Sequence, residues 1–436
     1  MNIEKRSTCS RWITGLSLAA LCLPAASRRA SAQQTDTGRT RRDTGFAMAI
    51  TAGEADAEPR RRQLLNRARF DLGFMTLHVG GGLLFDVAAY SPDSAIRQHF
   101  ELEPIFKLRD ARFLLGGRFA FKRAVTWQTG VMYDQPTKKW LFRQTGIMVA
   151  IPELWAHVFV GRAKEGFSLN KVMVGYDGWS MERLPFTDAT IPLLADGVKW
   201  LGITPDRHWF WNVGWFTDWL SEGQTFSSYD NQFVVRAGWV PLVSDSTGTL
   251  LHVALNLRRG RPNEGALQLR SRPEAFPAPY FIDTGKFPAQ SSRQAGFEVY
   301  YRPGRLLLGT EYSWQQVSSR ETGNPSFSGG EVVIAWLTTG ETRTYNTVGN
   351  YFRGVSPDST VVQGGPGAWE FVLKFSYSDL TNQPLEGGIF RRLTPMVNWH
   401  LTDNVRLELT YGYGTLARFG VVGRTHFFQS RLQMQL

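Results

Sequence analysis

Strict alternation of apolar and polar residues, repeated in segment after segment, is the feature that most limits what this chain can become. A two-residue period puts successive side chains on opposite faces of a strand, so each such segment reads as a strand with one apolar and one polar face. Trp209, Trp211, Val213, Trp215 and Trp219 share a face, while Asn212, Gly214 and Asp218 share the other. Leu251, Val253, Leu255 and Leu257 oppose His252, Asn256 and Arg258; Trp369, Phe371, Leu373, Phe375 and Tyr377 oppose Glu370, Lys374, Ser376 and Ser378. Val405, Leu407, Leu409, Tyr411 and Tyr413 oppose Arg406, Glu408 and Thr410. At the C-terminus Phe428, Leu432, Met434 and Leu436 oppose Gln429, Arg431, Gln433 and Gln435, the type of closing strand that the outer-membrane barrel-assembly machinery recognises.

Alternating faces suit either a soluble sandwich, where the apolar side turns into a core, or a closed barrel, where it meets lipid. The segments run about 9 to 11 residues, the length a tilted strand needs to cross a bilayer, and aromatics gather at their ends as interfacial girdles require. Phe, Trp and Tyr number 29, 15 and 13, yet the mean hydropathy is slightly negative. That combination follows when only one face of each strand meets lipid. Short turns such as Arg302-Pro303-Gly304-Arg305 and Thr402-Asp403-Asn404 alternate with long connections, chiefly about 163–208 and 259–293, which matches periplasmic turns against external loops. The expected fold is all-β: a transmembrane antiparallel β-barrel over 69–436, with roughly 16 to 18 strand candidates and a lumen too wide for wall side chains alone to fill. Closure leaves no strand edge in lipid. The face assignment also implies that arginine is tolerated far better at His252 than at Val253.

The N-terminus reads as an export signal over 1–32. Lys5, Arg6 and Arg11 precede an apolar run from Trp12 to Leu23, and Ala30-Ser31-Ala32 is a small-residue cleavage pattern, placing the mature start near Gln33. Leu21 before Cys22 is too large for a lipoprotein signal. Residues 33–68, polar and rich in arginine (Arg60, Arg61, Arg62, Arg67), read as a flexible periplasmic leader. Cys9 and Cys22 both fall in the removed segment, so disulfides and thiolate metal sites are excluded from the mature chain. No later stretch approaches the roughly 18 to 20 apolar residues of a spanning helix. The net charge is +11; the signal carries five basic residues against Glu4, leaving +7, which is too moderate to make nucleic acid a first expectation.

Several segments, in order, resemble the phosphate-selective porin O and P family. Gly82-Leu83-Leu84-Phe85-Asp86-Val87-Ala88-Ala89-Tyr90-Ser91-Pro92-Asp93 is similar to its opening strand, and Leu108-Arg109-Asp110-Ala111-Arg112 with Gly116-Gly117 to its arginine-rich strand. Val160-Gly161-Arg162-Ala163-Lys164-Glu165-Gly166-Phe167-Ser168-Leu169, followed by Ser180-Met181-Glu182-Arg183, resembles its constriction segment, with Arg162 where Gln is usual and Gly166 where Pro is usual. The stretch Leu337 to Tyr345, carrying Thr339-Gly340-Glu341, and the later Gly367-Ala368-Trp369-Glu370-Phe371 fit two further signatures. The resemblance implies a sixteen-stranded, commonly trimeric barrel whose third external loop, here within 163–208, folds inward as the constriction.

An anion pathway needs fixed positive charge in a narrow passage. Arg112, Arg118 and Lys122 stand at even spacing opposite Phe113, Leu115, Phe119 and Phe121, and so are expected to face the lumen from one strand over 112–122. The constriction candidate adds Arg162, Lys164, Lys171, Arg183 and Lys199. The competing reading makes these ordinary lumen charges paired with Glu165, Glu182 and Asp177, while the lumen acids Asp218, Glu298, Glu370 and Glu408 weigh against a positive field. Gly412-Tyr413-Gly414-Thr415-Leu416-Ala417 matches a dinucleotide pattern by letter, but it continues an alternating strand with no helix after it. The seven histidines lack zinc-ligand spacing. No cofactor, metal site or catalytic residue is expected. The expected function is passive diffusion of small anions such as phosphate or polyphosphate across the bacterial outer membrane, with membrane lipid and two further copies of the chain as partners. The alternatives are a structural or adhesive barrel with a closed lumen, and a barrel enzyme.

Overall fold

The computed structural model describes residues 69–134, 138–220 and 228–435. The expected signal and leader, 1–68, and the terminal Leu436 lie outside the described residues. Sixteen antiparallel strand positions close into one barrel: β1 (Met75–Pro92), β2 (Ile105–Phe119), β3 (Val125–Asp134), β4 (Lys139–Phe142 and Thr145–Ile151), β5 (Ala156–Ala163), β6 (Ala195–Ile203), β7 (Trp209–Thr217), β8 (Tyr229–Ser244), β9 (Thr249–Pro262), β10 (Ser291–Pro303), β11 (Leu306–Ser318), β12 (Ser326–Leu337), β13 (Ala368–Asn382), β14 (Leu385–His400), β15 (Val405–Arg418) and β16 (Val421–Gln435). Each pairs with its neighbours in sequence. The ring shuts where β16 runs antiparallel to β1, from Gln435 opposite Gly82 to Thr425 opposite Pro92. A short strand, Arg69–Asp71, folds back onto the start of β1.

The alternation reads directly onto the two faces of this wall. Leu255, Leu257, Phe371, Leu373, Phe375, Leu409 and Phe428 are exposed on the outside, while His252, Asn256, Glu370, Lys374 and Glu408 are buried inside. Stacked indoles, Trp209 on Trp239 at 5.7 Å and Trp369 on Trp399 at 4.9 Å, ring the outside near the rim where odd strands begin. At that rim most connections are short, for instance 304–305 between β10 and β11. The opposite rim carries the long connections 164–194 and 263–290, the latter with its own hairpin of Ala266–Ser271 and Ile282–Pro288.

Three boundaries differ from expectation. The long connection expected over 163–208 ends at 194, because Ala195–Ile203 is a strand whose outer face carries only Val198 and Trp200 as large apolar residues, too few for periodicity to reveal. Trp219 and Asp218 lie past the end of β7, and β2 stops at Phe119, which leaves Lys122 exposed in the following turn instead of on a strand. The short-turn rim is also not uniformly short. The connection 338–367 between β12 and β13 is long, enters the barrel from that side, and buries Arg343, Asn346, Tyr351 and Phe352.

Connections enter the lumen from both rims. The connection 164–194 contributes Leu169, Val172, Met173, Tyr176, Trp179 and Met181 to an interior apolar cluster, and 338–367 adds Tyr351 and Phe352 to the same cluster. Wall residues from both sides of the barrel complete it, among them Leu84 of β1, Phe210 of β7, Tyr300 of β10 and Met396 of β14.

Candidate pore constriction

The inward connection 164–194 is held by carboxylates on three consecutive wall strands. Its one-turn helix Leu169–Val172 presents free amide groups at its start, which seek acceptors. Glu298 of β10 accepts from the Leu169 amide, and Glu311 of β11 accepts from the Asn170 amide at 2.7 Å and from the Ser168 hydroxyl. Glu331 of β12 accepts from the Asn170 side chain at 2.8 Å, and Asn256 of β9 from the Ser168 amide at 3.0 Å. Charge-assisted bonds of this kind are about twice as strong as neutral ones. Phe167 is driven into a pocket of Ile191, Ala195, Phe216 and Val234. Gly166 has to be small there, since a Cβ at that position would stand 2.3 Å from the Asn212 side chain.

The second half of the connection is pinned through Glu182. Its carboxylate accepts from Arg109 of β2 at 2.9 and 3.1 Å and from Arg431 of β16 at 2.5 Å, and Arg431 also binds Asp86 of β1 at 2.6 and 2.7 Å. Burial alone would raise the Glu182 carboxyl, but the two guanidinium groups outweigh it and hold it below the usual carboxylate range. Asn398 of β14 donates to the Trp179 carbonyl at 2.8 Å, and Arg406 of β15 to the Gly178 carbonyl at 2.7 Å.

With the anchoring acids engaged, Lys164, Arg183 and Lys199 donate to backbone carbonyls, while Lys171 lies in the field of Asp188 and Glu165. Lys164 Nζ donates to the Met173 carbonyl at 2.6 Å, and Arg183 Nη2 donates to the same oxygen at 3.0 Å, with Arg183 Nε on the Asn170 carbonyl at 3.0 Å. Lys199 donates to the Lys164 carbonyl at 3.1 Å and lies over the Phe159 ring at 5.2 Å. Among the described residues, no carboxylate comes within 4.0 Å of the charged nitrogens of Lys164, Lys171, Arg183 or Lys199. Burial lowers the Lys164 ammonium, with Arg183 and Arg143 adding to the effect, and burial pushes the Lys171 ammonium down to about 8.

The remaining expected residues divide. Arg162 is buried in an ion pair with Asp196 of β6 at 2.7 Å, and Arg112 is paired with Asp110, so neither presents free charge. Arg118 is half-buried near the short-turn rim, where its amide donates to the Thr76 hydroxyl at 3.2 Å, and Lys122 lies beyond it in the turn. Glu165 binds Arg258 at 3.1 Å instead of any constriction cation. The structure thus brings Lys164, Lys171 and Arg183 together with Lys199 and leaves Arg118 and Lys122 apart. One cation went unforeseen: Arg143, at the break in β4, is buried with its Nη1 on the Gln144 side chain at 2.9 Å. It belongs to no alternating run, so periodicity carried no sign of it. Arg143, Arg183, Arg109 and Arg112 line a cavity of about 810 Å³ that opens beneath the long-loop rim.

Gly412-Tyr413-Gly414 lies within β15, paired with β14 and β16 as an ordinary strand. A family model described as phosphate-selective porin O and P matches residues 107–436. An uncharacterized protein of Caulobacter vibrioides is 26% identical over 270 residues, covering 58% of this chain and 53% of that protein, so the match spans about half the length of this curated relative. Among solved structures, the in-vitro folded trimer form of OmpT, an outer membrane protein of Vibrio cholerae, aligns with a TM-score of 0.52 at 11% identity, over 83% of this chain and 99% of that one. OprB of Pseudomonas putida at high pH aligns with a TM-score of 0.52 at 10% identity over 86% and 96%, and the outer membrane channel DcaP of Acinetobacter baumannii with 0.51 at 7% over 84% and 99%. At these identities the likeness is one of fold.

Proposed function

Because the chain belongs to the phosphate-selective porin O and P family, we propose that this outer-membrane barrel is a channel for small anions whose preference is set by Lys164, Lys171, Arg183 and Lys199. The single observation that carries the reading is the Met173 carbonyl, on which Lys164 and Arg183 converge at 2.6 and 3.0 Å with no carboxylate within ion-pair distance among the described residues. Positive charge held in a confined interior raises the local concentration of anions, and lysine and arginine offer charge-assisted bonds to phosphate oxygens. Arg112 and Arg162 act differently in this reading. Their buried partners Asp110 and Asp196 neutralise them, so they shape the wall and do not attract solute.

Short turns face the periplasm in barrels of this kind, which puts the cavity of about 810 Å³ on the outer side as an entry vestibule. Cleavage after Ala32 and assembly as a homotrimer complete the proposal. The test is charge reversal at the shared carbonyl: Lys164→Glu with Arg183→Glu should shift the anion-to-cation permeability ratio severalfold toward cations and relieve block of chloride current by phosphate. An unchanged ratio in a folded variant would place selectivity elsewhere. A second reading, a structural barrel with a closed lumen, is favoured by the burial of the inward face, and the two are separated by conductance.

A further inference from the structure

The cavity beneath the long-loop rim offers a ligand more than charge. From the wall it receives Arg143, only 5% exposed, whose Nη1 donates to the Gln144 side chain at 2.9 Å and whose Nε has no partner. Among the described residues no carboxylate lies within 4.0 Å of this guanidinium. From the external connection come Arg270 and Arg272, which lie over the Tyr280 ring at 4.4 and 4.5 Å and also lack a carboxylate at ion-pair distance among the described residues. Most acids of the same lining are already engaged: Asp110 by Arg112, Glu182 by Arg109 and Arg431, Glu264 by Lys286 at 3.3 Å and Glu274 by Lys374 at 2.9 Å. A buried guanidinium without an acid beside it is costly until an anion reaches it.

Much of the remaining lining is apolar. Three of the nine methionines, Met132, Met173 and Met181, line the cavity together with Leu84 and Phe276. Methionine fits irregular apolar shapes and is used on surfaces that accept varied partners. Phe276 is half-buried, with the Arg109 guanidinium 4.1 Å from its centroid. At about 810 Å³ the space falls in the range of about 300 to 1,000 Å³ typical of small-molecule sites, and inorganic phosphate would touch little of it. The way onward has the same mixed character. Inward faces are buried on most strands, but on β1–β3 Thr76, His78, Gly80, Leu114, Gln128 and Met132 are half-exposed, in a stripe that runs from the cavity toward the short-turn rim. Between Arg112 and Arg118 that stripe carries neither lysine nor arginine. A bare ion gains little there, whereas a solute with an apolar part meets Leu114 and Met132.

We propose that this cavity is a binding site for organic phosphates, a phosphate group joined to an apolar body, in which Arg143 takes the phosphate oxygens and Met132, Met181 and Phe276 pack on the body. This rests on the reading of the barrel as an anion channel and narrows the class of anion it admits. Charge alone would serve phosphate and its esters equally. The apolar lining serves only the esters, since burying apolar surface is favourable at roughly 25 cal/mol per Å².

Calorimetric titration of the folded protein in detergent, with phenyl phosphate and with inorganic phosphate, tests it. The expected result is that phenyl phosphate binds at least severalfold more tightly. Arg143→Gln should weaken both ligands severalfold. Met132→Ser with Phe276→Ala should remove the advantage of the ester and leave inorganic phosphate as it was; both residues are half-exposed, and heat-modifiable migration verifies that the variant folds. Equal affinities in the unmodified protein, or an advantage that survives the double substitution, overturn the site. Chloride current in planar bilayers separates this from the channel reading. A barrel that conducts but is blocked no better by phenyl phosphate than by phosphate overturns the site alone, whereas a folded barrel that binds the ester and carries no current overturns the channel and keeps the site.

Discussion

Lys171 has its ammonium pushed down to about 8 by burial on the turn Leu169–Val172. It carries its charge below that value and loses it above, so the anion preference should be fullest below pH 8 and decline as pH rises through it. Reversal potentials measured from pH 6 to pH 10 check this, and Lys171→Met should flatten the profile. A preference that strengthens with pH would contradict the assignment. Of the charged residues, Lys164 and Arg183 were singled out because they fall in the two segments that resemble the family's constriction, and Lys171 because it lies in the connection between them. The neutralisation of Arg162 was not, because its partner Asp196 lies in a stretch whose strand character sequence periodicity does not show. Glu182 was legible as a pairing acid but not in its role, since Arg109 and Arg431 come from β2 and β16, which only closure of the ring brings together.

For single strands the two faces predict different costs. Val253 points outward on β9, and Val253→Arg should destabilise the barrel by roughly 2 to 4 kcal/mol if it lies near the bilayer midplane. Urea-induced unfolding from lipid vesicles measures it; a loss under half that would move the residue to the interface. The expected contrast with His252→Arg needs correction. His252 is fully buried, bonded to Tyr345 and stacked on Phe210 at 5.0 Å, with Arg236 beside it, so a second guanidinium there meets a packed interior and not water. Gly161 in β5 is a sharper case. Its φ is +135°, and a Cβ would stand 2.2 Å from the Thr145 carbonyl of β4, so Gly161→Ala should cost about 1 to 3 kcal/mol from crowding, with backbone strain added. A neutral result by the same unfolding assay would count against the register of β4 and β5. Strands with many large outward residues, such as β9, β13 and β15, were plain in the sequence. The inward connection between β12 and β13 was not. Its residues 338–367 mix apolar and charged side chains without a period, because they contact both the constriction and the wall on opposite sides.

At the scale of the whole molecule, closure joins Gln435 to Gly82 and so depends on both ends of the described chain. Replacing inward Arg431 by Leu removes the link among Asp86, Glu182 and the closing strand, and should abolish the compact form on unheated gels at a lower temperature than in the unmodified protein. An unchanged transition would show that the seam does not depend on this cluster. Fold class was readable beforehand because one-sided lipid contact forces a period of two on most strands, whereas the count of sixteen and the inward loop were implied by the family resemblance. The second inward connection, 338–367, was not, because sequence marks which side chains point inward but not what meets them there. The central claim, an anion channel lined by Lys164, Lys171, Arg183 and Lys199, is tested most directly by the reversal potential of single channels in a steep KCl gradient. The account predicts a potential of the sign set by chloride. A potential of the sign set by potassium would contradict it.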